Sequence, residues 1–250
     1  MDSNSNIVNL FIPCQMDMFQ PNTAFSVISI LERIGIKIQY FEEQTCCGRR
    51  FFMEGELEYA EDLASQMLQN YGGYNEKVKF PLVIPDCGCA GYMKKDYRKI
   101  LENSVQNKHL DLFSGNVWEL CDYIVNVKHI DCLDNTFEGD VFYFKSCAAR
   151  NLYPSNDAPE TLLRNTKGLN LMQNTEMDAC CGANGRFALA NPTNMECLTG
   201  EIVRKITETS HIDYITSTDI HCLQHLDAYK EAHGLDFEVI HIADILKGEQ

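Results

Sequence analysis

The chain has no apolar run near the roughly 18 residues that a membrane-spanning helix requires, so bilayer insertion is not expected. Positive charge is scarce: 21 lysines and arginines stand against 36 aspartates and glutamates, a formal net charge of -15. Such a surface repels phosphate backbones and anionic lipid, and nucleic-acid binding and peripheral membrane attachment are both set aside. The opening "MDSNSNIVNLFIP" lacks the basic start and small-residue cleavage site of an export signal, which makes a cytoplasmic location the expectation. No G-x-G-x-x-G follows the first apolar run, so no flavin or nicotinamide site is expected.

What remains is a chain of 250 residues, 45% hydrophobic and 23% charged, enough to fold as one large domain or two smaller ones without disulfide staples. It nevertheless carries 12 cysteines. In a reducing compartment thiols persist as thiols unless they bind metal or do redox chemistry, and metal is the leading expectation. Two adjacent pairs, in "EEQTCCGRRFF" and "MDACCGANGRFA", strengthen it. Neighbouring cysteines fit poorly into a mutual disulfide, yet both can ligate iron atoms of one cluster.

The two Cys-Cys-Gly tripeptides belong to a longer repeat. Between Cys14 and Cys46 lie 31 residues, and between Cys147 and Cys180 lie 32. Downstream, 40 residues separate Gly48 from Cys89 and 39 separate Gly182 from Cys222. Asp86 and Asp219 each stand three positions before those cysteines. The agreement predicts a tandem duplication of about 130 residues.

Short β-rich runs precede the duplicated cysteines. "NIVNLFIP" leads to Cys14, "IKIQYF" to Cys46 and Cys47, and "FPLVIP" to Cys87 and Cys89. In the second half "DVFYF", "LNLMQN" and "DYITS" lead to Cys147, to Cys180 and Cys181, and to Cys222. Helical patterns such as "AFSVISILERIG" and "ELEYAEDLASQMLQN" alternate with them. Alternating strands and helices predict a parallel sheet whose ligand sites open beyond the carboxyl ends of its strands. The fold expected is therefore α/β: two tandem, pseudo-symmetric cysteine-rich domains over 6–130 and 138–247, each a short parallel sheet flanked by helices. "GNVWELCDYIVNVK" reads as a helix joining the halves, and "FEVIHIADILKG" as a closing strand and helix.

The spacing C-x31-C-C-G-x40-C followed by C-x32-C-C-G-x39-C resembles the CCG, or cysteine-rich, domain family of the heterodisulfide reductases and related iron-sulfur oxidoreductases. With "PDCGCAGYM", "WELCDYIVNV", "CCGANGRFAL", "STDIHCLQHL" and "VIHIADIL", the chain is most similar to the lactate-utilisation branch, from about Asn6 to Lys247. The resemblance implies one four-iron (4Fe-4S) cluster per repeat. Cys14, Cys46, Cys47 and Cys89 would hold the first, and Cys147, Cys180, Cys181 and Cys222 the second. Asp86 and Asp219 stand where the heterodisulfide reductases have another cysteine, and Cys87 is a candidate fifth ligand. The function implied is that of an electron-transfer subunit in oxidation of a 2-hydroxy acid, L-lactate to pyruvate, with a ferredoxin-like iron-sulfur partner.

Other readings stand beside this one. Four thiolates also suit zinc, in one site or in a zinc-stabilised assembly module without redox activity. Heterodisulfide-type thiol-disulfide reduction is the other enzymatic alternative. Arg50 and Arg186, each before a phenylalanine after the tripeptide, are candidates to grip a carboxylate substrate or offset cluster charge, or are surface ion pairs. Asp86 and Asp219 suit oxygen ligands or proton acceptors beside the clusters, and at least as well helix caps. Cys121, Cys132 and Cys197 have no repeat partners and are expected as small buried hydrophobes. His211, His221, His225, His233 and His241 are expected to be structural. The acidic run "EGELEYAED" is expected to be a solvated face or to orient a basic electron-transfer partner.

Overall fold

The computed structural model of the chain describes residues 6–71, 80–102, 109–155, 157–172, 179–183, 185–208 and 211–248. Gln173 and Asn174, the end of the expected strand before Cys180, and Met177, Asp178 and Asn184 around the second tripeptide lie outside them.

Two four-stranded sheets make the frame. The first is built from β1 (Ile7–Leu10), β2 (Lys37–Gln39), β3 (Leu82–Ile84) and β4 (Val117–Glu119), in the order β2-β1-β3-β4. The second uses β5 (Thr136–Tyr143), β6 (Lys167–Met172), β7 (Tyr214–Ser217) and β8 (Glu238–His241), in the order β6-β5-β7-β8. Every pairing is parallel. Strand β3, "LVI", is buried throughout, as a strand covered on both faces must be, whereas the edge strand β2 is partly exposed.

In each sheet the order reverses beside the first strand. The chain steps from β1 to β2 on one side and returns to β3 on the other, and β5, β6 and β7 do the same. The crevice at the carboxyl ends of β1 and β3 is the switch point at which open parallel sheets bind ligands.

The segment expected as a joining helix is different. Val117–Glu119 extends as β4 and pairs with β3 (Leu82 with Val117, Ile84 with Glu119), and only then do short helical turns Leu120–Asp122 and Tyr123–Val127 follow. The closing "FEVIHIADIL" is its counterpart: β8 pairs with β7, and helix Ile242–Lys247 follows at once. Connector and end cap are thus the fourth units of the two repeats. Each helical turn begins on a buried cap. Glu119 accepts the amides of Cys121 and Asp122, and His241 Nδ1 accepts that of Ala243.

The halves share a core. Val8, Leu10, Val27, Ile30 and Leu31 pack in one cluster with Val141, Leu162, Ile220, Ile242 and Leu246. Helix Pro21–Arg33 begins on proline and buries Thr23, Ser26, Val27, Ile30 and Leu31, the spacing of a single helix face. Thr23 and Ser26 donate from that face to Asp244 at 2.8 and 2.7 Å, and Arg33 donates to the carbonyls of Leu246 and Lys247. A Cβ on Gly91 would lie 2.5 Å from Leu152 Cγ and 3.0 Å from its carbonyl carbon, so glycine there permits close approach of the halves. Among the described residues no helix is long and apolar enough to cross a membrane.

Burial lifts the Glu119 carboxyl to about 8, although the amides it accepts pull the other way. Because the folded chain holds this proton more tightly than the unfolded one, its contribution to stability is complete below the ordinary value of 4.5 and is lost as pH rises through 8. Glu119→Gln keeps an oxygen for the two amides and removes the charge. Urea unfolding between pH 5 and 9 is expected to show the native chain falling relative to the variant by on the order of a few kcal/mol.

Candidate metal centre

Three loops of the first sheet bring its cysteines together. Cys14 opens the helix Cys14–Phe19 just beyond β1, Cys46 and Cys47 lie in the loop after β2, and Cys89 sits in the helix Cys87–Gly91 directly after β3. The first two loops are clasped by Gln44. Its Nε2 donates to the Ile12 carbonyl at 2.6 Å and its Oε1 accepts the Ile12 amide at 3.2 Å, much as a neighbouring strand would.

The tripeptide owes its glycine to backbone geometry. Gly48 has φ +87° and Gly182 φ +73°, the left-handed region that side chains disfavour. There the Gly48 amide donates to Cys46 Sγ and the Gly182 amide to Cys180 Sγ, both at 3.4 Å. The second cysteine of each pair is held through its carbonyl: Tyr97 donates its hydroxyl to Cys47 O at 2.9 Å, and Thr199 donates to Cys181 O at 3.2 Å.

The sulfurs meet in the same pattern in both halves. Cys14 and Cys46 are 3.7 Å apart and Cys47 and Cys89 3.3 Å; Cys147 and Cys180 are 3.7 Å apart and Cys181 and Cys222 3.0 Å. All are free thiols. Cys47, Cys89, Cys181 and Cys222 are buried, Cys14, Cys46 and Cys147 half-buried, and Cys180 exposed. Hydrogen bonds from Cys14, from Cys47 and from the Gly48 amide hold Cys46 far below an ordinary thiol, while Cys14 is pushed up. Cys180 is held down by bonds from Cys147 and Cys181, and Cys147 is raised. The hydrogen bond with Cys47 pulls Cys89 down most strongly, but burial together with the charges of Asp86 and Cys46 leaves the thiol at about 11.

Asp86 and Asp219 are caps. Asp86 Oδ1 accepts the Cys89 amide at 2.6 Å, and Asp219 Oδ1 accepts the Cys222 amide at 3.3 Å. Their second oxygens reach further. Asp86 Oδ2 accepts the Ile220 amide of the other half at 3.1 Å, while Asp219 Oδ2 accepts the Ser146 hydroxyl at 2.8 Å. Cys87 lies on this midline: its amide donates to Thr218 O at 2.9 Å and its thiol is 3.7 Å from Ser146 Oγ. Burial raises that thiol.

A cavity of about 200 Å³ is lined by Cys14, Cys46, Cys47, Cys89, Arg49 and, from the second half, His221. Cys87 does not line it. Among the described residues no three His, Cys, Asp or Glu side chains are arranged to hold a metal ion; the thiols meet in pairs beside a space far larger than one water molecule needs. Soft donors around so large a space fit a cluster better than one ion.

Other residues fall as follows. Arg50 lines the cavity while its Nε donates to Glu54 at 2.9 Å, and Arg186 pairs with Glu56 across the halves at 3.5 Å. Both arginines are exposed. The acidic run is mainly a solvated face that supplies these two glutamates. Cys121 is buried, but Cys132 and Cys197 are exposed, contrary to expectation. Cys132 lies in the strand-free link before β5, and Cys197 on the outer side of helix Pro192–Thr207, which turns Thr199, Ile202, Val203 and Ile206 inward. His211 pairs with Asp213, His233 stacks on Tyr229 and His241 caps a helix, whereas His221 lines the cavity. Sequence reasoning missed Arg49, which is 7% exposed. Burial works against its charge, but Asp219, Asp86, Cys89 and Cys87 together hold it protonated. The only signal was its place beside the tripeptide.

Comparison with known proteins agrees with this layout. The family model of the cysteine-rich domain, CCG, matches residues 8–94 and again 141–227, the same displacement as the cysteines. The Lactate utilization protein A of Oceanobacillus iheyensis is 30% identical over 241 residues, 96% of each chain. That of Bacillus pumilus is 28% identical over 239 residues, 96% of this chain and 98% of the relative. A crystal structure of a hypothetical protein from Helicobacter pylori superposes with a TM-score of 0.61 at 10% identity, covering 98% of this chain and 49% of that one. That likeness concerns the fold, and the chain spans about half of that protein's length. The chain belongs to the CCG cysteine-rich domain family, as a two-repeat member.

Gly48→Ala and Gly182→Ala test the local geometry. An added Cβ at residue 48 would sit 3.3 Å from Leu63 Cβ, and at residue 182 it would sit 3.2 Å from Leu198 Cδ1, both at positive φ. Each variant is expected to lose about 1–2 kcal/mol of stability in urea titrations. Faster alkylation of Cys46 or Cys180 than in the native chain is expected as the amide turns away from its sulfur.

Proposed function

We propose that this two-repeat member of the cysteine-rich family is the cluster-bearing, electron-transferring subunit of a lactate-utilisation oxidoreductase. The observation that supports it most is the duplicated gathering of four cysteines at the switch point of each parallel sheet, beside a cavity in the first half. The names of its full-length relatives supply the substrate system.

On this reading the two domains, 6–130 and 138–247, each hold one iron-sulfur cluster of the four-iron type. Cys14, Cys46, Cys47 and Cys89 ligate the first, and Cys147, Cys180, Cys181 and Cys222 the second. Zinc in one of the two sites is the competing occupant. Bound clusters would supply one-electron steps for the two electrons and two protons released when L-lactate becomes pyruvate. The chain's own residues do the rest. Gln44 and the two glycine amides fix the loops, Tyr97 and Thr199 hold the peptide carbonyls, and Asp86 and Asp219 orient the fourth cysteines. Cys87, turned toward Ser146, serves the midline between the sites and not the first ligand set. Arg50, at the edge of the cavity, is the proposed grip for a carboxylate, and Arg186 supports it from the second half. Dehydrogenation and electron delivery are shared with a ferredoxin-like iron-sulfur partner in the cytoplasm.

Anaerobic purification with iron, sulfide and EPR analysis tests this. About four irons and four sulfides per repeat are expected. Cys46→Ala and Cys180→Ala should each remove roughly half of the metal. Full occupancy by zinc with no redox signal would end the electron-transfer reading.

A further inference from the structure

The duplicated sites differ at one buried position. Arg49 follows the first Cys-Cys-Gly, and Ala183 follows the second. Arg49 lines the first cavity and lies against Gly88, where an added Cβ would come within 2.3 Å of its Nη1 and 3.0 Å of its Cζ. The repeat places His221 opposite Gly88 in the second half, so the missing side chain and the guanidinium that fills its space occur together on one side only. Arg49 Nη1 has no hydrogen-bond acceptor among the described residues, and its charge is shared between the Asp219 and Asp86 carboxylates and the Cys89 and Cys87 sulfurs. The second thiol set has Arg150, but that side chain is only half-buried and donates to the carbonyls of Lys145 and Ala179 at the edge of the loop. A charge inside the protein acts through a lower dielectric than one near solvent, and salt screens it less.

We propose that Arg49 is the charge-setting residue of the first thiol set and makes the duplicated sites unequal: a cluster held by Cys14, Cys46, Cys47 and Cys89 is easier to reduce than its counterpart. With clusters bound at both sites, electron exchange between them would favour the first, with no bond made or broken and no proton required. This rests on the cluster reading above. Arg49 acts as a positioning charge behind the ligands.

Potentiometric titration of the anaerobically purified full chain, followed by EPR, tests the assignment. The two signals are assigned with Cys46→Ala and Cys180→Ala. In Arg49→Gln the first-site midpoint should move negative while the second holds, lowering the equilibrium constant for second-to-first transfer on the order of tenfold. Arg49→Lys should restore part of the shift. Gly88→Ala, which displaces the guanidinium without removing it, should reproduce the direction of the glutamine effect and covers the case in which Arg49→Gln does not fold. Midpoints unmoved in Arg49→Gln and Gly88→Ala, equal shifts at both sites, or equal midpoints in the native chain would overturn this assignment alone. A native chain without iron would overturn the cluster reading and this assignment together.

Discussion

The Asp86 carboxylate is the interaction on which the rest of the arrangement depends. One oxygen takes the Cys89 amide of its own helix, and the other takes the Ile220 amide at the start of the helix that carries Cys222. A single side chain therefore fixes the fourth cysteine of one repeat and the approach of the other repeat to it. A buried carboxylate is costly unless its lone pairs are filled, and helix amino termini offer both N–H donors and a favourable dipole. Asp219 repeats the arrangement with one change: its outer oxygen binds Ser146, and the Cys87 amide turns to Thr218 O instead. The seam between the repeats is thus polar where the loops meet, and joins an apolar cluster to hydrogen bonds with Asp244 where helix Pro21–Arg33 meets helix Ile242–Lys247.

Much of this was legible in the sequence. Cysteine spacing alone revealed the duplication, and the β-rich runs before each cysteine revealed that thiols from separate loops converge at a sheet edge. Aspartate three residues before a cysteine suited a cap at least as well as an oxygen ligand. The fourth strand of the first half was hidden, because "VWE" passes without a turn into helical turns and its apolar residues merge with those of the helix, whereas the closing "EVIH" was read as a strand. The two copies have also diverged there, with Glu119 capping one turn and His241 the other.

The adjacent arginines show a second limit. Arg50 aligned with Arg186 through the phenylalanine that follows each, and so drew attention, yet Arg49 is the buried one. Which of two neighbours turns inward is decided by the left-handed turn at Gly48, from which the helix Arg49–Glu54 starts. That orientation is three-dimensional and leaves no mark in composition. The exposed Cys132 and Cys197 illustrate the converse: residue type favours burial, and position along a link or a helix face decides against it.

Ile220 and His221, from the second repeat, form part of the wall of the first cavity. In a symmetric pair of identical chains every substitution is present twice, on both sides of the axis. Joined end to end, the copies escape that rule. A change can enter one chamber and spare its twin, so lineages of this architecture are free to specialise their two halves for different tasks while neither half can be discarded.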